Sequence, residues 1–287
     1  MAFNLQTFKT RALTAIIFVM VMLAGLLWNQ WSFLLLFSIV HFGCWVEYQK
    51  LVGLIDKDYQ QIHPLHKYGV MLAGWGFMLW MTDKEFMIGT FYLHEWGGWI
   101  FITGLVLFVA GELLHAKKMQ SKLCAHSAMG FLYISLSWGL MMQLWGNENQ
   151  TIFTRFNWMM PVLLIASIWI NDTMAYMVGS FIGKTPFSPI SPKKTWEGTI
   201  GGTILAVLMV TLIGYYACQF PVKALLFISI TAAIAGTAGD LLESKLKRLA
   251  GVKDSGKIMP GHGGFLDRFD SLLLATTAVW IIFRLFY

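Results

Sequence analysis

A chain of 287 residues that is 57% hydrophobic, 15% aromatic and only 13% charged falls well below the roughly 25% of charged residues usual in a soluble domain. That composition excludes an ordinary water-soluble protein and points to one embedded in a membrane. The formal net charge of +6 suits anionic headgroups or nucleotides, and the scattered cysteines, Cys44, Cys124 and Cys218, suggest neither a disulfide framework nor a zinc site.

Apolar runs near the roughly 17–25 residues that cross a bilayer as a helix recur at 12–28, 31–46, 68–81, 96–111, 123–145, 158–171, 199–222, 224–239 and 271–287. The expected fold is all-α, a polytopic integral membrane protein of about nine transmembrane helices. The first run follows Lys9 and Arg11 without a small-x-small cleavage pattern, so it reads as a retained helix and not as a signal peptide. Alternating nine spans from a cytoplasmic amino terminus leaves Lys84, Arg155, Lys223 and Arg284 outside or near the outer end, and hence 17 of the 21 Lys and Arg inside. Residues 1–160 read as scaffold spans, and as a dimer surface if the chain pairs, joined by ordinary loops such as 50–67 with His63 and His66. Residues 161–287 read as the catalytic region of the same integral unit, with the chemistry concentrated in 171–271.

In that region Asp172 closes the sixth run, and Tyr176, Gly179 and Gly183 follow at helical spacing. The stretch SPKKTWEG (191–198) then supplies charge from Lys193 and Lys194, hydroxyls from Ser191 and Thr195, and a carboxylate from Glu197 that can pair or ligate. Taken alone it reads equally as a basic juxtamembrane loop anchored by Trp196. Next, the small and apolar run TAAIAGTAG (231–239) leads directly into Asp240. Small residues let backbones approach closely, so this carboxylate is expected at membrane depth, where an ionisable group is costly and marks function by default.

On a helix Asp240, Glu243, Ser244, Lys247 and Arg248 form one charged stripe. A solvated helix end with Glu243–Lys247 pairing explains such a stripe as well. The turn PGHGGFLDRFD (260–270) sets Gly261, Gly263 and Gly264 around His262, followed by Asp267, Arg268 and Asp270. Glycines of this kind let backbone N–H groups approach an anion. Two carboxylate clusters bracketing a loop that leaves and re-enters the membrane point to a bound cation, and hard oxygen ligands suit Mg²⁺ completed by substrate phosphates.

The ordered run S-x-x-K-R-x4-K-D-S-G-x-x-x-P-G-H-G-G-x-L-D-R-x-D, from Ser244 to Asp270, resembles the signature of the phosphatidate cytidylyltransferase (CDP-diacylglycerol synthase) family. SPKKTWEG and the D-x-x-A-Y of Asp172–Tyr176 resemble it too, so the specific likeness covers about 171–271; the first 160 residues are similar only in being polytopic. Ser180 departs from the pattern, standing where a basic residue is expected in G-[RK]-x-x-G-K, which puts one phosphate contact in doubt.

The resemblance implies transfer of the cytidylyl group of CTP to phosphatidic acid, giving CDP-diacylglycerol and pyrophosphate for phospholipid synthesis. The lipid phosphate is already ionised, so the obstacle is charge and not proton removal, and in-line positioning with neutralisation should carry the rate. On the matched positions, Asp240 and Asp267 are expected to hold the catalytic Mg²⁺, with Glu243 and Asp270 as auxiliary ligands and room for a second cation. Lys247, Arg248, Arg268, Lys193, Lys194 and Lys253 are expected at the triphosphate or the lipid phosphate. Ser191, Thr195, Ser244, His262, Gly263 and Gly264 are expected to bind substrate oxygens, and Asp172, Tyr176, Glu197 and Asp254 to support them. The partners are CTP, phosphatidic acid and the bilayer, with no nucleic acid; the resemblance also suggests a homodimer. A cytoplasmic-facing polar cavity in the plasma (inner) membrane is expected, open to both substrates.

Two rivals come from other classes, an ion-coupled transporter and a different lipid phosphotransferase. An ion-coupled transporter also places Asp172 and Asp240 at membrane depth, but it needs no long basic return loop and more often carries inverted repeats. A CTP-dependent lipid kinase moves the γ-phosphate and leaves CDP. A CDP-alcohol phosphotransferase needs an Asp-Gly dipeptide, and none occurs in the chain.

Overall fold

A computed structural model describes residues 5–116, 121–145, 158–258 and 263–286. Helices α1 (Leu5–Leu27), α2 (Gln30–Ile55), α3 (Lys57–Gln60) and α4 (Pro64–Trp80) lead through a hairpin, β1 (Met87–Ile88) and β2 (Phe91–Tyr92), into α5 (Leu93–Ala116). α6 (Ser121–Gly130) passes through a π-helical turn (Phe131–Ser135) into α7 (Leu136–Leu144). α8 (Met159–Ile182) is joined by a second antiparallel hairpin, β3 (Pro186–Ser188) and β4 (Ser191–Thr195), to α9 (Trp196–Cys218), and α10 (Val222–Leu249) and α11 (Leu266–Phe286) follow.

Each of the nine apolar runs falls on a helix, and among the described residues seven helical segments are long and apolar enough to cross a membrane. The chain is an integral membrane protein. α4, at 17 residues, measures about 25 Å against a hydrocarbon core of roughly 30 Å, and the described apolar part of α1 is Ala12–Leu27. Two helices extend beyond their apolar runs. α8 continues past Asp172 to Ile182, carrying Tyr176 and Gly179 at the helical spacing expected of them, and ends at the cap Gly183. α11 starts at Leu266, so Asp267 and Asp270 share it as expected, with Asp267 in its first turn, where a carboxylate complements the helix dipole.

Local signals explain where the helices begin. Asn29 caps α2 through a reciprocal box with Ser32, Asp56 caps α3, Pro64 opens α4, and Thr195 accepts the Gly198 N–H at the head of α9. At the foot of α9, Gln219 takes a left-handed conformation (φ 58°) and returns its N–H to the last turn.

The chain divides into two compact units, Met1–Met142 with Leu246–Phe269 and Gln143–Lys245 with Asp270–Tyr287. In the first, α4 and α5 meet along glycines. A Cβ at Gly69 or Gly76 would run into α5 backbone, and one at Gly97, Gly104 or Gly111 into α4 backbone. Beside that seam lies a buried polar network: His66 bonds Glu112 (2.5 Å) and Ser127 (2.7 Å), and Tyr59 bonds Ser127 (3.0 Å). In the second unit α8 and α9 pack equally closely, with Gly198 and Gly202 against Ala175 and Gly179. Buried Ala232, Ala233, Gly236 and Gly239 line α10. A Cβ on Gly239 would overlap the Asp270 carbonyl and stand 3.1 Å from Ser271 Cα. That close crossing of α10 and α11 brings the residues beside it, Asp240 and Asp270, together.

Candidate active site

Within the second unit, Asp240, Glu243 and Asp270 converge, with one carboxylate oxygen from each inside a sphere of contacts no wider than 4.8 Å. Asp240 and Glu243 are one helical turn apart on α10, and Asp270 comes from the first turns of α11. Glu243 is fully buried and Asp270 is 8% exposed. No other such trio of His, Cys, Asp or Glu converges among the described residues. Three carboxylates so close repel one another, and removal from water adds to the cost, so the arrangement calls for cationic compensation. One cation is already at hand: Lys194, from β4, forms an ion pair with Asp240, while Ser244 lies 3.4 Å from the other oxygen of Asp240. Hard oxygen donors of this kind suit Mg²⁺, which usually takes one or two carboxylates directly and leaves positions for phosphate and water.

Lys194 also lines a cavity of about 390 Å³ with Lys193, Thr195, Thr199, Asp172, Tyr176 and Ser180 among its walls. The hairpin and α9 hold the lysines in place. The Glu197 carboxylate accepts the Lys184 N–H at 3.1 Å, the Thr185 N–H and the Thr185 hydroxyl (2.7 Å). Thr195 caps α9. Thus Glu197 is a brace at the base of the hairpin. Ser191 pairs with Ser188 across the same hairpin. Ser180 turns its hydroxyl back to the Tyr176 carbonyl, 2.7 Å away, so the position where the family pattern has a basic residue carries no cation here.

Asp267 belongs to the first unit and is engaged differently. Its Oδ1 accepts Lys247 Nζ at 2.7 Å, and its Oδ2 accepts the N–H groups of Ser255 and Gly264, each at 2.8 Å. It is not one of the three converging carboxylates. The turn before α11 is built around it: Gly263 is left-handed (φ 85°), and a Cβ there would press on the Asp267 carboxylate. Arg248 points toward the Val252 carbonyl (3.4 Å), and Lys253, Asp254 and Arg268 are exposed. His262 lies outside the described residues.

Two residues that the motifs did not single out complete this turn. Glu47, on α2, accepts the Phe265 N–H (3.0 Å), the Leu266 N–H (2.8 Å) and contacts Ser255 Oγ (2.7 Å). Ser255 Oγ is also 2.8 Å from Asp267 Oδ2; with a single proton, it donates to one carboxylate at a time. The available signal for Glu47 was an acidic residue just past an apolar run, at a place where charge is costly.

The model of the cytidylyltransferase family matches residues 9–286. A phosphatidate cytidylyltransferase of Thermotoga maritima is 31% identical over 269 residues, covering 84% of this chain and 90% of the relative. Proteins of the same name from Bacillus subtilis (46% over 122 residues) and Helicobacter pylori (45% over 115) match 42% and 38% of this chain. Those two alignments span less than half of each relative, 45% and 43%. From its first transmembrane helix to its last, the chain belongs to the cytidylyltransferase family.

Proposed function

We propose that the protein transfers the cytidylyl group of CTP to phosphatidic acid, forming CDP-diacylglycerol and pyrophosphate. The observation that carries the reading is the junction at Lys194, which joins a lysine-lined cavity to three converging carboxylates. Polyanion recognition and cation binding are the two things that joining a phosphate to a triphosphate requires.

In this reading Asp240, Glu243 and Asp270 would hold Mg²⁺, while Asp267, whose oxygens already take Lys247 Nζ and the Ser255 and Gly264 N–H groups, organises the turn before α11. A cation held by these carboxylates would supply positive charge against the repulsion between the two anionic substrates. Lys193 and Lys194 receive phosphate oxygens in the cavity, and the hydroxyls of Thr195, Thr199 and Ser191 orient them. Tyr176 and Asp172 form the lipid-facing rim. Lys247, Lys253, Arg248 and Arg268 add charge along the return loop, and Gly263 and Gly264 offer backbone that a phosphate can approach. No general base is needed, since the attacking lipid oxygen is anionic at neutral pH; the side chains work by alignment and by reducing repulsion.

The same reading takes the nine apolar runs as spans of the inner membrane, with the amino terminus and the loops after α8 and α10 in the cytoplasm, as the Lys and Arg distribution favours. The cavity then opens to both the bilayer and the cytoplasm. Assembly as a homodimer is proposed from the family resemblance alone.

Purified protein with phosphatidic acid, Mg²⁺ and CTP labelled at the α-phosphorus tests the reaction. Label should enter the lipid with release of unlabelled pyrophosphate, and Asp240→Asn and Asp270→Asn should each lower kcat by a factor of about 100 or more, the scale of losing one charged contact to the transition state. Label retained in CDP while lipid gains the γ-phosphate would make the protein a lipid kinase. No transfer by well-folded protein would return the carboxylates to an ion-transport role.

A further inference from the structure

We infer that Glu47 is a positioning residue for this reaction: from α2 it holds the return loop and the head of α11, and thereby sets the direction of the carboxylates that follow on that helix. The catalytic half of the inference rests on the cytidylyl-transfer reading; the clamp itself rests on geometry alone.

Glu47 is 5% exposed and directly follows the apolar run of α2 that ends at Val46. A carboxylate in such a place must be satisfied, and each group that meets it here is a donor. Oε1 takes the Phe265 N–H, while Oε2 takes the Leu266 N–H and faces the Ser255 hydroxyl. Leu266 opens α11, so these are N–H groups that the helix cannot satisfy by itself. Glu47 thus caps α11 from another part of the chain, with the negative charge that the positive end of the helix dipole favours.

The loop is shaped to admit that cap. A Cβ on Gly264 would overlap both carboxylate oxygens of Glu47, and one on Gly256 would overlap Oε1. One turn earlier on α2, a Cβ on Gly43 would overlap the Phe265 ring. On its other side the loop closes on Asp267, which takes the Ser255 and Gly264 N–H groups. Residues 255, 256 and 264–266 are therefore held between two carboxylates, one from α2 and one from α11. Asp267 follows the capped residue directly, and Asp270 lies one turn farther along the same helix. A small tilt at the head of α11 moves both.

An amide cannot replace this carboxylate. Glutamine has one oxygen for three donors, and its NH₂ would face either the Phe265 N–H or the Leu266 N–H. The test compares wild type, Glu47→Gln and Glu47→Asp as full-length protein in detergent, by amide hydrogen exchange and by steady-state cytidylyl transfer. Glu47→Gln should speed exchange at 255–258 and 263–266 about tenfold, as expected for a lost hydrogen bond to a charged group, with α4 and α5 unchanged. It should also lower kcat about tenfold while KM for CTP stays within about twofold. Glu47→Asp, which keeps the charge, should recover part of both. The inference is overturned if loop exchange does not change, if it rises while kcat stays at the wild-type value, or if exchange in α4 and α5 rises equally. Wild-type protein that transfers no label overturns the reaction reading and the catalytic half of this inference; the exchange comparison then still decides whether Glu47 holds the loop.

Discussion

Lys194 and Asp240 show how single residues carry two jobs at once. The ammonium compensates one carboxylate of the trio while standing in the wall of the cavity, so a cation bound at the trio would meet the lysine at Asp240. Lysine suits such a place, being a compact charge on a flexible stem. A second ion pair serves stability. Asp56 accepts a bond from Lys122 (2.8 Å), which holds its carboxyl below the usual range, with help from the Asp58 N–H and His126. A depressed carboxyl adds stability above its unfolded pKa of about 3.9 and loses it as pH falls toward the folded value. Lys122→Met should therefore melt slightly below wild type at pH 7, with the difference closing as the pH falls below the unfolded pKa of about 3.9. Much of this scale was legible in advance: Asp240, Glu243, Asp270 and Lys194 all stand in stretches whose charge is out of place in so apolar a chain. The grouping was not. Asp267 and Asp270 look equivalent as neighbours on a helix, and only the crossing at Gly239 and the bonds from Lys247, Ser255 and Gly264 separate their surroundings.

Helices were the easiest elements to read, because length and apolarity suffice to find them, and all nine runs lie on one. Their ends were harder, since a charged residue reads as the end of a span even where the backbone continues, as α8 does through Asp172. The hairpin of β3 and β4 had no periodic signal in so short a stretch, yet it carries both cavity lysines. Pairing of helices was announced only by small residues. At Gly202 a Cβ would overlap the Ala175 backbone on α8, so Gly202→Val should force α8 and α9 apart, cost about 1–3 kcal/mol and reduce transfer. Gly98 on α5 has open space around its Cβ position, and Gly98→Val should stay within roughly 0.5 kcal/mol of wild type. Thermal melting of the two variants beside wild type checks the contrast.

Orientation and residue function meet at the scale of the whole molecule. If the amino terminus is cytoplasmic, the hairpin of β1 and β2 faces the opposite compartment from the turn between α2 and α4. With Cys44, Cys124 and Cys218 replaced by serine, a cysteine at Gly89 should react with a membrane-impermeant maleimide in intact cells. Cysteines at Asp58 and Lys253 should react only once the membrane is opened. The reverse pattern would invert the topology and put CTP on the wrong side. The first half of the chain was legible as membrane-spanning but not as a participant in chemistry, because the motifs begin at Asp172 and the contribution of α2 depends on a contact between residues more than 200 positions apart, Glu47 with Ser255.

The π-helical turn at Phe131–Ser135 has a consequence for how this chain tolerates change in length. In a regular helix Ser127 and Ser135 would be about 80° out of phase. The wider turn absorbs roughly one residue and brings their hydroxyls to comparable faces, Ser127 meeting Tyr59 and His66, Ser135 meeting His41 and Trp45. Deleting one residue within the turn should leave Trp138, in the core beyond it, on its present face, because the wider turn already holds about one residue more than a regular helix needs, whereas deleting one from the regular helix on either side would swing it by about a quarter turn. The irregular turn works as a phase adjuster: it lets one continuous span satisfy two polar networks that a uniform helix of the same length would serve only one at a time.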